Sequence, residues 1–217
     1  IASSLAEGIS SSDFARVEAV NGYLNFYADT AAFVLRVAKD IEAAGDMYGS
    51  PMCGDGKTVV LDYSSPNVAK PFHIGHLGTT VIGHSLKLLH EFAGYKCIGI
   101  NHLGDWGTQF GKLIVAFKKW GNKEAIEEGG IDELVKLYVR FHTEAEADEA
   151  LNDEARAEFA ALEAHKEENI ALWRWFIEIS IEEYKKTYRL LNIEFDSYNG
   201  ESFYTDKMPR QIELIRE

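Results

Sequence analysis

Thr58-Val59-Val60-Leu61-Asp62-Tyr63-Ser64-Ser65-Pro66-Asn67-Val68-Ala69-Lys70-Pro71-Phe72-His73-Ile74-Gly75-His76 is the stretch around which this 217-residue chain is organised. Val59-Val60-Leu61 is a short apolar run with a turn signal behind it, which predicts a buried strand. A Ser/Pro/Asn loop follows, and a long apolar-periodic segment begins just after His73. Strand, loop and two histidines at the mouth of a helix make a layout suited to phosphate. A helix start offers unpaired N–H groups and the positive end of the helix dipole. Imidazoles can donate hydrogen bonds to phosphate oxygens. Gly75 carries no side chain, so a nucleotide can approach the backbone there, and Pro71 stiffens the path in.

The neighbouring segments extend this into a domain. Residues 74–93 are predicted as a helix stopped by Gly94. Tyr95 to Asn101 is predicted as a second apolar strand, and Thr108 to Trp120 as a second helix. Strand–helix–strand–helix with short connections implies an α/β fold with a right-handed crossover and a Rossmann-like parallel sheet. Ligands of such sheets bind beyond the carboxyl ends of the strands. Ser64 to Asn67 and His102 to Gly107 both fall there. His102, Asp105 and Gln109 are therefore second-tier site candidates, with Asp105 an equal candidate for the cap of the helix near Thr108.

Residues 123–190 lack strand signals. Apolar side chains recur at helical spacing, as in Ile131, Leu134, Val135, Tyr138 and Phe141 and again from Phe159 to Tyr188. Two or three long helices are expected, broken at Gly129-Gly130 and around Asn152-Asp153, with their aromatics in the core. They form a helical insertion, about 122–191, within the α/β domain of residues 51–217. Ile193 to Asp196 is predicted to resume a strand, Gly200 to Tyr204 to form a loop, and residues from 205 onward to begin a helix.

Before residue 51 the signals are of another unit. Residues 13–19 are weakly helical, Gly22 to Ala28 alternates as a strand does, and Asp29 or Thr30 caps a helix running to about Ala44. Tyr48 to Lys57 is predicted as a linker. Residues 1–50 are too few for a domain of their own and are expected to be the tail of a larger one.

Composition narrows the function classes. The net charge of −13 argues at first against nucleic acid. Residues 123–183, however, hold 18 of the acidic and only 6 of the basic residues, so the helical segment carries the charge and the rest is near neutral. Two cysteines, Cys53 and Cys97, give neither a disulfide framework nor a metal spacing and fit a reducing, cytoplasmic setting. No apolar run approaches membrane-spanning length. No third ligand stands at metal spacing from His73 and His76, so no protein-bound metal is expected. The chain starts at Ile1 and stops inside helix-like sequence, so a piece of a longer protein, inactive alone, is expected.

Read without relatives, these residues leave open a nucleotidylyltransferase or a non-catalytic module gripping a partner through its acidic helices. Asp62-Tyr63-Ser64-Ser65-Pro66-Asn67-Val68-Ala69-Lys70-Pro71-Phe72-His73-Ile74-Gly75-His76-Leu77 closely resembles the signature of the arginyl-tRNA synthetase family, class I aminoacyl-tRNA synthetases. Asn101 to Gly111 is similar to a second block of that family, Phe195-Asp196 with Gly200 to Tyr204 to a third, and Gly22 to Phe26 to the close of its N-terminal tRNA-contacting domain. Gly78-Thr79-Thr80 departs from the Arg-Ser-Thr of many relatives. The resemblance implies activation of L-arginine with ATP, accompanied by Mg²⁺, to arginyl-adenylate. Transfer to the 3′ end of tRNA(Arg) would follow, in an enzyme expected to be monomeric. It implies His73 and His76 as catalytic; His73, Gly75, His76 and Lys70 as ATP contacts; and Ser65, Pro66, Asn67 and His76 as arginine contacts. The first step in this family generally needs tRNA.

Overall fold

The computed structural model describes residues 1–216. The chain divides into two compact units, Ile1–Met52 and Cys53–Glu217.

In the first unit, helix α1 (Ala2–Gly8) precedes an antiparallel hairpin of β1 (Phe14–Val20) and β2 (Tyr23–Ala28). Residues 14–19 are thus strand, against the weak helical signal. Asn21 and Gly22, at φ 50° and 85°, make the left-handed two-residue turn that matches strand twist, so cross-strand pairing overrides local preference. Helix α2 (Thr30–Ala44) starts at Asp29, whose carboxylate accepts from the Ala32 amide at 2.9 Å. No residue of this unit is buried.

In the second unit, β3 (Thr58–Asp62) pairs in parallel with β4 (Lys96–Ile100), Val60 opposite Ile98, and α3 (Ile74–Phe92) is the crossover. A Cβ on Gly83 would overlap the Tyr63 ring, so glycine lets α3 lie close to the strand end. The predicted strand at Ile193 to Asp196 is reduced to a bridge between Ile100 and Ser197, and the sheet is two-stranded among the described residues. Val60, predicted buried, is 58 % exposed, while Val59 and Leu61 on the opposite face of the strand are half-buried and Leu61 packs on the core.

The helical segment contains four helices where two or three were expected: α5 (Lys123–Gly129), α6 (Ile131–Ala147), α7 (Ala150–Glu163) and α8 (Glu167–Leu190). The break predicted at Asn152-Asp153 lies at Asp148, whose extended backbone ends α6 and whose carboxylate accepts from the Ala150 amide at 3.1 Å. These helices pack with α4 (Thr108–Trp120) into one core of Phe110, Leu113, Ile114, Leu134, Phe141, Leu162 and Phe176. Gly111 meets Ala155 backbone to backbone, which draws α4 onto α7. After a 3₁₀ turn at Glu201–Tyr204, α9 (Met208–Arg216) closes the described chain.

Candidate functional site

The loops leaving β3 and β4 meet at their backbones. Asn67 bridges Gly104 in parallel fashion, with Val68 N donating to Gly104 O at 3.0 Å and Gly104 N to Pro66 O at 3.1 Å. A Cβ on Gly104 would collide with the Asn67 side-chain oxygen, so Asn67 keeps this side-chain position only opposite a glycine. Asn67 itself is exposed, while Pro66 and Val68 on either side are buried. Loop residues Ser64, Ser65 and Ala69 take positive φ of 73°, 47° and 59°, a region that residues with a Cβ seldom occupy. The Ser65 amide donates to Asn101 Oδ1 at 3.0 Å, and its hydroxyl donates to Asp62 Oδ1 at 2.9 Å.

His73 and His76 cap α3 reciprocally. His73 is the N-cap, and its Nδ1 accepts from the Gly75 amide at 3.1 Å; His76 Nδ1 accepts from the His73 amide at 3.3 Å. The rings stack, with centroids 3.8 Å apart and planes 24° from parallel. An imidazole whose Nδ1 accepts must carry its proton on Nε2 when neutral. Both histidines are then Nε2–H donors beside the positive end of a 19-residue helix. Burial, then the neighbouring His73, then Lys70 lower the pKa of His76, which keeps that ring neutral to more acidic pH than usual. The Lys70 ammonium is exposed and makes no ion pair among the described residues.

The second-tier candidates face elsewhere. His102 Nδ1 lies 3.2 Å from the Asn199 carbonyl, which can only accept, so His102 is the opposite tautomer with Nε2 as its free acceptor. Asp105 is buried and does not cap α4, whose N-cap is Gly107 with no side-chain bond. Its carboxylate instead accepts from the Ser202 amide and hydroxyl, at 2.8 and 2.6 Å. Glycine's extended reach at φ 136° starts α4 without a capping side chain, which frees Asp105 to tie the β4 loop to the 3₁₀ turn. Gln109 Nε2 donates to Trp106 O at 3.1 Å and closes its own loop. Trp106 packs edge-on against Trp173, and a cleft of about 590 Å³ opens beside this pair, Arg174 and Ser202. The structure thus joins Ser65, Asn67 and the β4 loop on one side and pairs His73 with His76 on another, while Asp105 and Gln109 serve the loop's own architecture.

Sequence reasoning missed the polar residues beneath the loop. Tyr188 lies 2.7 Å from Ser64 Oγ and accepts from Asn101 Nδ2 at 3.0 Å, and Ser64 lies 2.8 Å from Thr80 Oγ1. All four are buried. The available signal was the recurrence of Ser180, Tyr184 and Tyr188 every four residues within an otherwise apolar helix face. No group of three or more His, Cys, Asp or Glu side chains able to hold a metal ion occurs among the described residues, and no described helix is long and apolar enough to cross a membrane.

The chain is similar to known proteins in sequence and in fold. Residues 40–217 match the family described as tRNA synthetases class I (R), catalytic domain. An arginine–tRNA ligase of Clostridium perfringens is 54 % identical over 217 residues, covering 100 % of this chain and 38 % of the relative. One of Clostridioides difficile is 54 % identical over 218 residues with the same coverage. A crystal structure of arginyl-tRNA synthetase from Plasmodium falciparum superposes with a TM-score of 0.67 at 25 % identity, covering 97 % of this chain and 37 % of that one. The Thermus thermophilus arginyl-tRNA synthetase, at TM-score 0.62 and 22 % identity, shares the fold over 93 % of this chain and 32 % of its own. The chain spans about a third of the length of these relatives, between 32 % and 38 %, and it belongs to the arginine-type class I tRNA synthetase catalytic-domain family.

Proposed function

We propose that this chain is part of an arginine–tRNA ligase, which activates L-arginine with ATP and passes the arginyl group to the 3′ end of tRNA(Arg). The supporting observation is the reciprocal histidine cap. It spends both Nδ1 atoms on the backbone and leaves two Nε2–H donors at a helix start, beside the loop that carries Ser65 and Asn67. When the arginine carboxylate attacks the α-phosphorus and pyrophosphate leaves, charge builds on phosphate oxygens. Fixed donors at that place stabilise the transition state more than the ground state. Gly75 gives the nucleotide room, Lys70 supplies a mobile positive charge, and Ser65, Pro66, Asn67 and His76 hold the amino acid's main-chain end. Mg²⁺ arrives with ATP as part of the substrate. His102 offers a ring acceptor at the rim, while Asp105 and Gln109 act through the shape of the β4 loop.

Residues 1–50 are, in this reading, the end of a tRNA-contacting domain. Residues 51–217 are the first part of the catalytic domain, with an insertion at about 122–191. The protein acts in the cytoplasm as a monomer. In the full-length ligase, His76→Ala or Asn67→Ala is expected to lower arginine- and tRNA-dependent ATP–pyrophosphate exchange at least about tenfold. Exchange at the wild-type rate in both variants would refute the site.

A further inference from the structure

We propose that Ser180, Tyr184 and Tyr188 of α8 are positioning residues for the arginine side of this site, holding the Ser64–Lys70 loop in its left-handed course; the assignment rests on the function proposed above. Residues four apart share a helix face, and eight residues advance about 12 Å along it. Along that line α8 meets the loop three times. Ser180 Oγ accepts from the Ala69 amide at 3.1 Å. The Tyr184 hydroxyl lies 2.7 Å from both the Asn67 and the Lys70 carbonyl and donates between them. The Tyr188 hydroxyl lies 2.7 Å from Ser64 Oγ. The three contacts fall at the loop's start, middle and end. Two of them land on residues with positive φ, Ser64 and Ala69.

Protons can be counted through the deepest contact, because each hydroxyl has only one to give. Thr80 Oγ1 lies 2.6 Å from the His76 carbonyl, which can only accept. With the Thr80 proton committed there, Ser64 donates to Thr80, Tyr188 donates to Ser64, and Asn101 Nδ2 donates to Tyr188. Every hydroxyl in this line gives one hydrogen bond and receives one. Ser180 is satisfied likewise, since it donates to Phe176 O at 2.8 Å and accepts from Ala69. Phenylalanine and alanine would fill these buried places without a hydroxyl, and outside α8 the three hydroxyls bond only the loop and Asn101, which itself holds the Ser65 amide. The histidine rings are aimed by their own capping box, and the hydroxyl line reaches only the His76 backbone carbonyl, so loss of the clamp bears on Ser65 and Asn67 before it bears on the nucleotide side.

Tyr188→Phe, Tyr184→Phe and Ser180→Ala remove one hydroxyl each with no change of shape. Two measurements test them. In the chain itself, amide hydrogen exchange over residues 62–70 is expected to quicken at least about tenfold in each variant, with α4 and α8 amides unchanged. In the full-length ligase, the arginine KM in ATP–pyrophosphate exchange is expected to rise at least about fivefold while the ATP KM stays within about twofold. Phe141→Leu, a core change on α6 that removes no hydrogen bond to the loop, should lower Tm comparably and leave the ratio of the two KM values unchanged. Unaltered exchange over residues 62–70 would overturn the clamp. Faster exchange with both KM values unmoved, or raised in parallel, would overturn the positioning role. A wild-type enzyme that does not use arginine would refute the function proposed above and with it any role in that reaction, while the amide rates would still judge the clamp.

Discussion

The two halves of the second unit bury their apolar residues very differently. On α3 only Thr80 and Gly83 are buried, and Ile74, Val81, Ile82, Leu86, Leu88, Leu89 and Phe92 are exposed. On α4, of 13 residues, Phe110, Gly111, Leu113, Ile114, Val115 and Ala116 are all buried. From its sequence the helical segment reads as an insertion in an α/β sheet domain. Here it supplies the core, and the signature loop leans on it through α8, while the histidine pair sits on the sparsely packed α3 with its rings set by their own caps and only the His76 carbonyl joined to the α8 line through Thr80. The contrast is measurable. Phe141→Ala, at a site with no exposure, is expected to cost about 3–5 kcal/mol of unfolding free energy, and Leu89→Ala, at 63 % exposure, less than about 0.5 kcal/mol. Urea titration followed by tryptophan fluorescence reports the second unit and not the first, because Trp106, Trp120, Trp173 and Trp175 all lie in the second. Equal costs would erase the distinction.

What the sequence disclosed and what it withheld divide along a physical line. Thr108 to Trp120 was legible to the residue, since apolar spacing and flanking glycines are local signals. The strand–loop–helix order around His73 was legible for the same reason, and so was the stop at Gly94, which sits at φ 88°. The strand at Phe14–Val20 was not, because its pairing with Tyr23–Ala28 decides it rather than its own preference. Neither was the partner of Asp105, which is Ser202, 97 residues on. Tyr184 and Tyr188 were legible as core and not as clamp. Burial follows from spacing, but the direction of a hydroxyl depends on what the fold places opposite it.

Two glycines extend the comparison to single atoms. Gly104 lies where a Cβ would strike Asn67 Oδ1, whereas Gly78 on α3 has nothing within 4 Å of that position. Gly104→Ala is expected to destabilise by about 1–3 kcal/mol and to shift the Asn67 side-chain amide signals in NMR spectra. Gly78→Ala should stabilise by about 0.5–1 kcal/mol through helix propensity alone. A neutral Gly104→Ala with Asn67 unmoved would show the two loops to be less closely joined than their backbone bonds imply.

The smallest effect concerns the two histidine rings, which α8 does not hydrogen-bond directly. If the histidine pair is held by its own cap, its ionisation should answer to its own members. Burial is the first cause of the lowered His76 pKa, and the stacked His73 ring and Lys70 follow. His73→Asn retains an N-cap side chain but removes the imidazole, so the His76 pKa should rise toward the ordinary value of about 6.5. The linkage has a definite sign. With the folded value below the unfolded one, the unfolded chain takes its proton first as pH falls. His76 therefore contributes stability that is present above about pH 6.5 and is lost as pH drops toward the folded value. Protonation also puts a hydrogen on Nδ1, which then can no longer accept from the His73 amide. Nitrogen-detected NMR titration should find both rings as Nε2–H tautomers at neutral pH, with His76 titrating below the ordinary value. A His76 that is Nδ1–H, or that titrates the same in His73→Asn, would mean that something other than the paired cap aims the two donors.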